Sequence, residues 1–140
     1  MPNLYSSKCN KCDFKTSVSS GGYLYVRDRD GNKVVCPHPL EYHTIAEVLG
    51  ISKDDAFAWI QQEYGKISEE TRKKIEDNIG MNFQHICLDC LAENFLDKKK
   101  DEIKCKKCSS VNLKYVADLV NKPCPKCKEG AIEMISQGMS

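Results

Sequence analysis

The chain has 140 residues, 41% apolar and 29% charged, a composition that excludes collagen-like, mucin-like and wholly disordered chains. With 21 basic and 20 acidic residues the net charge is +1, so no global field draws it toward nucleic acid or an anionic membrane. Apolar runs are short, as at Val34-Val35-Cys36, and Met1-Pro2-Asn3-Leu4 does not open a signal sequence, so the expectation is a soluble cytoplasmic protein without a membrane partner.

In chain order, the first marked feature is Cys9-Asn10-Lys11-Cys12. Gly21-Gly22 then predicts a bend, and Tyr23-Leu24-Tyr25-Val26 and Lys33-Val34-Val35-Cys36 predict two strands joined through Asp30-Gly31, a hairpin signal. A helix is expected after Thr44 as N-cap, with Glu47 closing a capping box and Gly50 ending it. Ser52 caps a second helix running to about Tyr64, and a third runs from about Ser68 to Asn78, with Gly80 behind it. Phe57, Trp59 and Ile60 are expected in the core of this block. Short strands follow at Glu93–Leu96, Val111–Val116 and Ala131–Ile135, with a charged turn at Lys98-Lys99-Lys100-Asp101-Glu102.

Charge divides the sequence further. Residues 1–38 carry 6 basic and 3 acidic residues, 39–84 carry 5 and 9, and 85–128 carry 10 and 6, so an acidic middle lies between two basic flanks. That middle holds no cysteine, whereas eight of the nine cysteines in the chain form four Cys-x2-Cys pairs. This spacing suits a metal. A pair on a tight turn presents two thiolates to one ion with backbone N–H groups aimed at the sulfurs, and two pairs close a tetrahedron. Four pairs therefore predict about two Zn²⁺ per chain, ligated by Cys9, Cys12, Cys87, Cys90, Cys105, Cys108, Cys124 and Cys127. Iron fits the same four-thiolate geometry and is the alternative metal.

The stretch His85-Ile86-Cys87-Leu88-Asp89-Cys90, then Phe95, then Cys105-Lys106-Lys107-Cys108-Ser109-Ser110-Val111 resembles the rubredoxin-like zinc-ribbon families over residues 85–116. The resemblance implies a fold and a metal more than any one activity. Ser109 stands where ribbons more often carry glycine. Cys124-Pro125-Lys126-Cys127-Lys128-Glu129-Gly130 has the Cys-Pro-x-Cys-x-x-Gly form that many ribbons use. The fold class expected is thus a small metal-stabilised α+β protein in which zinc-ribbon β-hairpins flank a short helical insert. Its parts are an N-terminal knuckle and hairpin at 1–40, a helical insert at 41–84, and a zinc ribbon with the C-terminal knuckle at 85–140.

Two pairings remain for the outer knuckles. Cys9 and Cys12 either meet Cys124 and Cys127, which uses every pair and joins the chain ends, or close locally with Cys36 and His38 across the hairpin. Counting favours the first and loop entropy the second; the first is the expectation. His43 and His85 read as structural.

Thr44–Ser52 followed by Ala56–Ile60 resembles a helix-turn-helix, but its second helix opens on Lys53-Asp54-Asp55, whose carboxylates would repel phosphate while suiting a helix N-terminus. Closed four-thiolate sites leave no position for a substrate, and Cys36, His38 and Glu41 form the only other cluster suited to chemistry. The expected function is a non-catalytic zinc-binding interaction or adaptor module with protein partners. The alternative is a nucleic-acid-binding accessory protein using the lysines of its knuckles and the helix-turn-helix-like insert.

Overall fold

The computed structural model describes residues 3–139, which form a small mixed α/β protein of three helices and antiparallel sheets. It divides into two compact units, a knuckle unit drawn from Met1–Gly22 and Asn82–Ser140 and a helical unit of Tyr23–Met81. The hairpin after the first knuckle therefore belongs with the helices, and the first knuckle belongs with the last three. These units differ in their bounds from the sequence blocks 1–40, 41–84 and 85–140, and each has a hydrophobic core of its own.

Strand β1 is Asn3–Cys9, β2 is Gly22–Arg27 and β3 is Lys33–Val35. The hairpin pairs Arg27 with Lys33, Val26 with Val34 and Tyr25 with Val35. Its loop is organised by Asp28, whose Oδ1 accepts from the N–H groups of Asp30 at 3.0 Å and Asn32 at 2.9 Å, while Gly31 takes φ +82°.

Helix α1 is Glu41–Leu49, so it starts three residues before the expected cap. A turn donating Leu40 N–H to Pro37 O at 3.0 Å hands the chain directly into the helix, and Thr44 lies inside it. Gly50 ends it in the left-handed conformation, φ +67°. Helix α2 is Lys53–Ile60, opened by Ser52 Oγ accepting from Asp55 N–H, with Asp54 and Asp55 in the first turn. It stops four residues short of Tyr64. Gln62 adopts φ +62°, and Glu63 N–H to Ala58 O and Gln62 N–H to Trp59 O form a Schellman closure without glycine. A 3₁₀ turn at Tyr64–Lys66 leads on to Ser68, which caps helix α3, Glu69–Asn78.

Ile45, Ala46 and Leu49 of α1, Ala56 of α2 and Ile75 of α3 bury themselves against Val26, Cys36 and Ile79. Trp59 and Ile60 pack partly onto this core. Phe57 does not; it is 44% exposed, edge-on to Tyr42 with ring centroids 5.2 Å apart. On α2 the buried positions are Ala56 and Ala58, which turns Phe57 outward.

Gly80 terminates no helix, since the chain runs from α3 directly into strand β4, Ile79–Cys87. Strand β5, Glu93–Leu96, and strand β6, Leu113–Tyr115, both pair with β4. Strand β7, Ile132–Met139, pairs with β1 from Cys9↔Ile132 to Asn3↔Met139, with an irregularity between Leu4 and Tyr5. One core joins these parts of the knuckle unit: Cys9, Phe14, Ile86, Val116, Leu119, Cys124 and Ile132, with Leu88 and Leu91 packed on it. The two ends of the unit where the helical segment leaves and returns lie together. Gln84 N–H donates to Gly21 O at 2.9 Å, and a Cβ on Gly22 would stand 2.9 Å from Asn82 O and 2.7 Å from the Phe83 ring.

Candidate metal centres

Each knuckle is a backbone turn that its sequence neighbours close. Cys9, Cys87 and Cys105 donate their N–H to the carbonyls of Phe14, Ala92 and Ser110, five residues on, and Cys124 donates to Gly130, six residues on. In three knuckles the residue after the second cysteine also turns back, with Leu91, Ser109 and Lys128 N–H donating to the carbonyls of Cys87, Cys105 and Cys124. All three take left-handed φ of 65–66°, the conformation for which glycine is usual. Ser109, where the sequence resemblance implied glycine, thus takes the left-handed conformation as a serine.

The turns bring the eight paired cysteines into two tetrads, Cys9/Cys12/Cys124/Cys127 and Cys87/Cys90/Cys105/Cys108, with the four sulfurs of each within 4.8 Å of one another. Across the first tetrad Cys9 and Cys127 sulfurs are 3.6 Å apart and Cys12 and Cys124 3.7 Å; across the second, Cys87 and Cys108 are 3.5 Å and Cys90 and Cys105 3.6 Å. A disulfide needs about 2.05 Å. Four sulfurs around a metal at about 2.3 Å stand about 3.8 Å apart, so both tetrads have the edge length of a tetrathiolate cage and can hold a metal ion.

The local closure of Cys9 and Cys12 with Cys36 and His38 is replaced by closure with the C-terminal knuckle. Cys36 is 3% exposed in the core of the helical unit, and burial followed by the Glu41 carboxylate pushes its thiol up to about 11. His38 instead meets Glu41, Nδ1 to Oε1 at 2.6 Å. Neither belongs to a metal-competent cluster among the described residues. His43 stacks against Tyr42, and buried His85 sets Nδ1 2.8 Å from Phe83 O.

The first tetrad is held by main-chain donors. Lys11 and Cys12 N–H point at Cys9 sulfur at 3.3 and 3.4 Å, Lys126 N–H at Cys124 at 3.3 Å, and Gly130 N–H at Cys127 at 3.3 Å. Gly130 is required by space, since a Cβ there would lie 2.3 Å from Cys9 sulfur. Asn10 Oδ1 accepts from Ala131 N–H at 3.0 Å, and Lys126 ammonium pairs with Asp13, which joins the two knuckles outside the cage. That pair lowers the Asp13 carboxyl and raises Lys126, to which the thiolates of Cys12 and Cys124 add.

The second tetrad adds a buried side chain. Asn94, 4% exposed on β5, donates Nδ2 to Cys105 sulfur at 3.5 Å and accepts Lys106 N–H on Oδ1 at 2.9 Å. It ties the second knuckle to the strand that follows the first. Sequence reasoning placed Glu93–Leu96 as a strand and missed this role; the available signal was an amide between Glu93 and the apolar Phe95-Leu96. Ser110 Oγ donates to Asp89 Oδ2 and accepts Asn112 N–H at 3.0 Å, a further link between the knuckles.

These donors split the thiols of each tetrad. Gly130 N–H, then Glu129 N–H, pull Cys127 down to about 6, and Cys108 N–H, with the Asn94 amide and Lys107 N–H, does the same to Cys105. Phe14 N–H lowers Cys12, but burial and the neighbouring thiols outweigh it and push Cys12 up to about 12; Ser110 N–H is likewise outweighed at Cys108, also at about 12. Four negative sulfurs this close repel one another, so a fully ionised tetrad needs a cation at its centre.

The chain matches no protein-family model, no curated protein and no solved structure. No helix among the described residues is long and apolar enough to cross a membrane.

Proposed function

We propose that the protein is a non-catalytic, zinc-stabilised interaction module that serves as an adaptor in a macromolecular complex. Residues 85–116 form its zinc ribbon, and the outer knuckles form a second site across the chain ends. The observation that carries this reading is the pair of four-cysteine cages with tetrahedral edges. Four thiolates saturate a zinc ion, leave no open position for water or substrate, and place the metal in a folding role. Zinc is favoured over iron for a chain that repeats the site. Protein partners in the cytoplasm are the accompanying expectation.

Elemental analysis of the purified chain should give about two zinc ions, and a cobalt-substituted protein should show the intense visible bands of tetrahedral thiolate coordination at both sites. One metal or none per chain overturns the two-site reading, and iron with charge-transfer colour turns it toward electron transfer.

A second reading, nucleic-acid binding, is favoured by one contrast among the lysines. Lys126 is engaged by Asp13, whereas Lys106 and Lys107 of the second tetrad have no acidic partner among the described residues. The knuckle unit also carries 13 basic and 9 acidic residues, against 8 and 11 in the helical unit. Replacing Lys106 and Lys107 should reduce the salt slope of nucleic-acid binding by roughly two units if they contact phosphate. Weak binding at physiological salt, unchanged by the replacements, favours the protein-adaptor reading.

A further inference from the structure

The two cages differ in access. In the first, Cys9 and Cys124 are buried and Cys12 and Cys127 half-buried; in the second, Cys87 and Cys105 are buried, Cys90 is half-buried and Cys108 is exposed. Cys108 is thus the single exposed thiol of the nine. The Asp13–Lys126 pair flanks the knuckles of the first cage, while Cys108 is followed by exposed Ser109 and preceded by exposed Lys106 and Lys107. With a metal bound all four sulfurs of a cage are thiolates, so solvent access decides which of them meets a small oxidant first. The buried Cys36 has no such access.

We infer that Cys108 is a modification site, the thiolate through which hydrogen peroxide and similar two-electron oxidants open the second cage while the first stays closed. The inference rests on the reading of both tetrads as metal sites. Cys108 sulfur attacks one peroxide oxygen; the S–O bond forms, the O–O bond breaks, hydroxide leaves and a sulfenic acid remains. The thiolate of Cys87, 3.5 Å away across the knuckles, attacks that sulfur. The S–S bond forms, the S–O bond breaks and a second hydroxide leaves. Two thiolates have then given two electrons to one peroxide, and two protons from solvent convert the hydroxides to water. The metal keeps only Cys90 and Cys105 and dissociates, because two thiolates do not hold a structural ion against water.

The test uses the full zinc-loaded chain, limiting hydrogen peroxide, a chromogenic zinc chelator and peptide mapping by mass spectrometry. The expected result is release of one zinc per chain, with the first disulfide mapped to Cys87–Cys108 and Cys9, Cys12, Cys124 and Cys127 intact. Brief alkylation of the same holoprotein by iodoacetamide, which needs no variant, should label Cys108 about tenfold faster than any other cysteine. Cys36→Ser should change neither readout. Both zincs leaving together, or first modification at Cys12, Cys90 or Cys127, overturns this inference alone. A purified chain without bound metal overturns it together with the reading of the tetrads.

Discussion

The two cages share a backbone recipe and differ in how far the chain travels to close them. In the second, the facing sulfurs are 15 and 21 residues apart; in the first, 112 and 118. Ideal loop closure makes the longer closure costlier by about 1.6 kcal/mol, a small sum beside the roughly 10–16 kcal/mol that a structural zinc contributes. The terminal site thus repays its distance through what surrounds it: the β1–β7 register, the Gly130 contact and the shared core at Cys9, Cys124 and Ile132. Sequence distance decides the order in which such sites form more than whether they form.

The sharpest way to break the comparison is to remove one ligand from each cage. Cys105→Ser should release one metal and disorder the chain around 85–116, while the helical unit keeps its circular-dichroism signal, because its core contains no residue of either cage. Cys124→Ser should also release one metal but loosen β1–β7 as well. Loss of helix in either variant would show that the two units unfold as one.

Next come substitutions that touch one cage through its surroundings. Gly130→Ala forces a methyl group against Cys9 sulfur and should weaken the first site by about 1–3 kcal/mol, leaving the second unchanged. Asn94→Asp removes the donor to Cys105 and sets a carboxylate beside it, so the second site should lose about tenfold or more in metal affinity, with the first unaffected. Competitive zinc titration of both variants reads the crossing directly, and equal losses at both sites would dissolve the distinction.

A smaller, favourable effect is expected where the turns carry strain. Ser109→Gly and Lys128→Gly each relieve a left-handed non-glycine residue and should raise stability by up to about 1 kcal/mol in denaturant unfolding, whereas Leu91, also left-handed, packs on the core and offers no such gain. The first knuckle offers no such gain at Asp13, which is not among the positive-φ residues.

The smallest effect concerns the ion pair outside the first cage. Lys126 is raised above its ordinary 10.5 by Asp13, so the pair's contribution is complete below that value and is lost as pH rises through the folded value. Asp13→Asn should therefore lower the melting temperature slightly at pH 8, and the difference from the parent chain should shrink as pH rises through the folded Lys126 value, or in high salt. A difference that persists there would assign the effect to packing.

The four cysteine pairs that make the two tetrads were legible in the sequence because a Cys-x2-Cys turn is a local object. So were Ser52, Ser68 and Gly50 as helix boundaries and the Asp28–Asn32 hairpin, each decided within a few residues. What escaped was set by distant partners. Strand β1 has little alternation of its own and is fixed by β7 at the other end of the chain. Strand β4 was hidden behind Gly80, which reads as a helix stop until β5 and β6 supply its pairing. Leu40 and Gln62 set helix ends through backbone bonds that no residue preference announces. Asn94 looked like any strand residue, since its role exists only once Cys105 folds back beside it.

The helical segment leaves the knuckle unit after Gly22 and rejoins it at Asn82, and Gly21 O and Gln84 N–H at those two points are already hydrogen-bonded. A segment whose two attachment points touch behaves as a cassette. All eight paired cysteines lie outside Tyr23–Met81, so both tetrads are assembled from the flanking stretches alone.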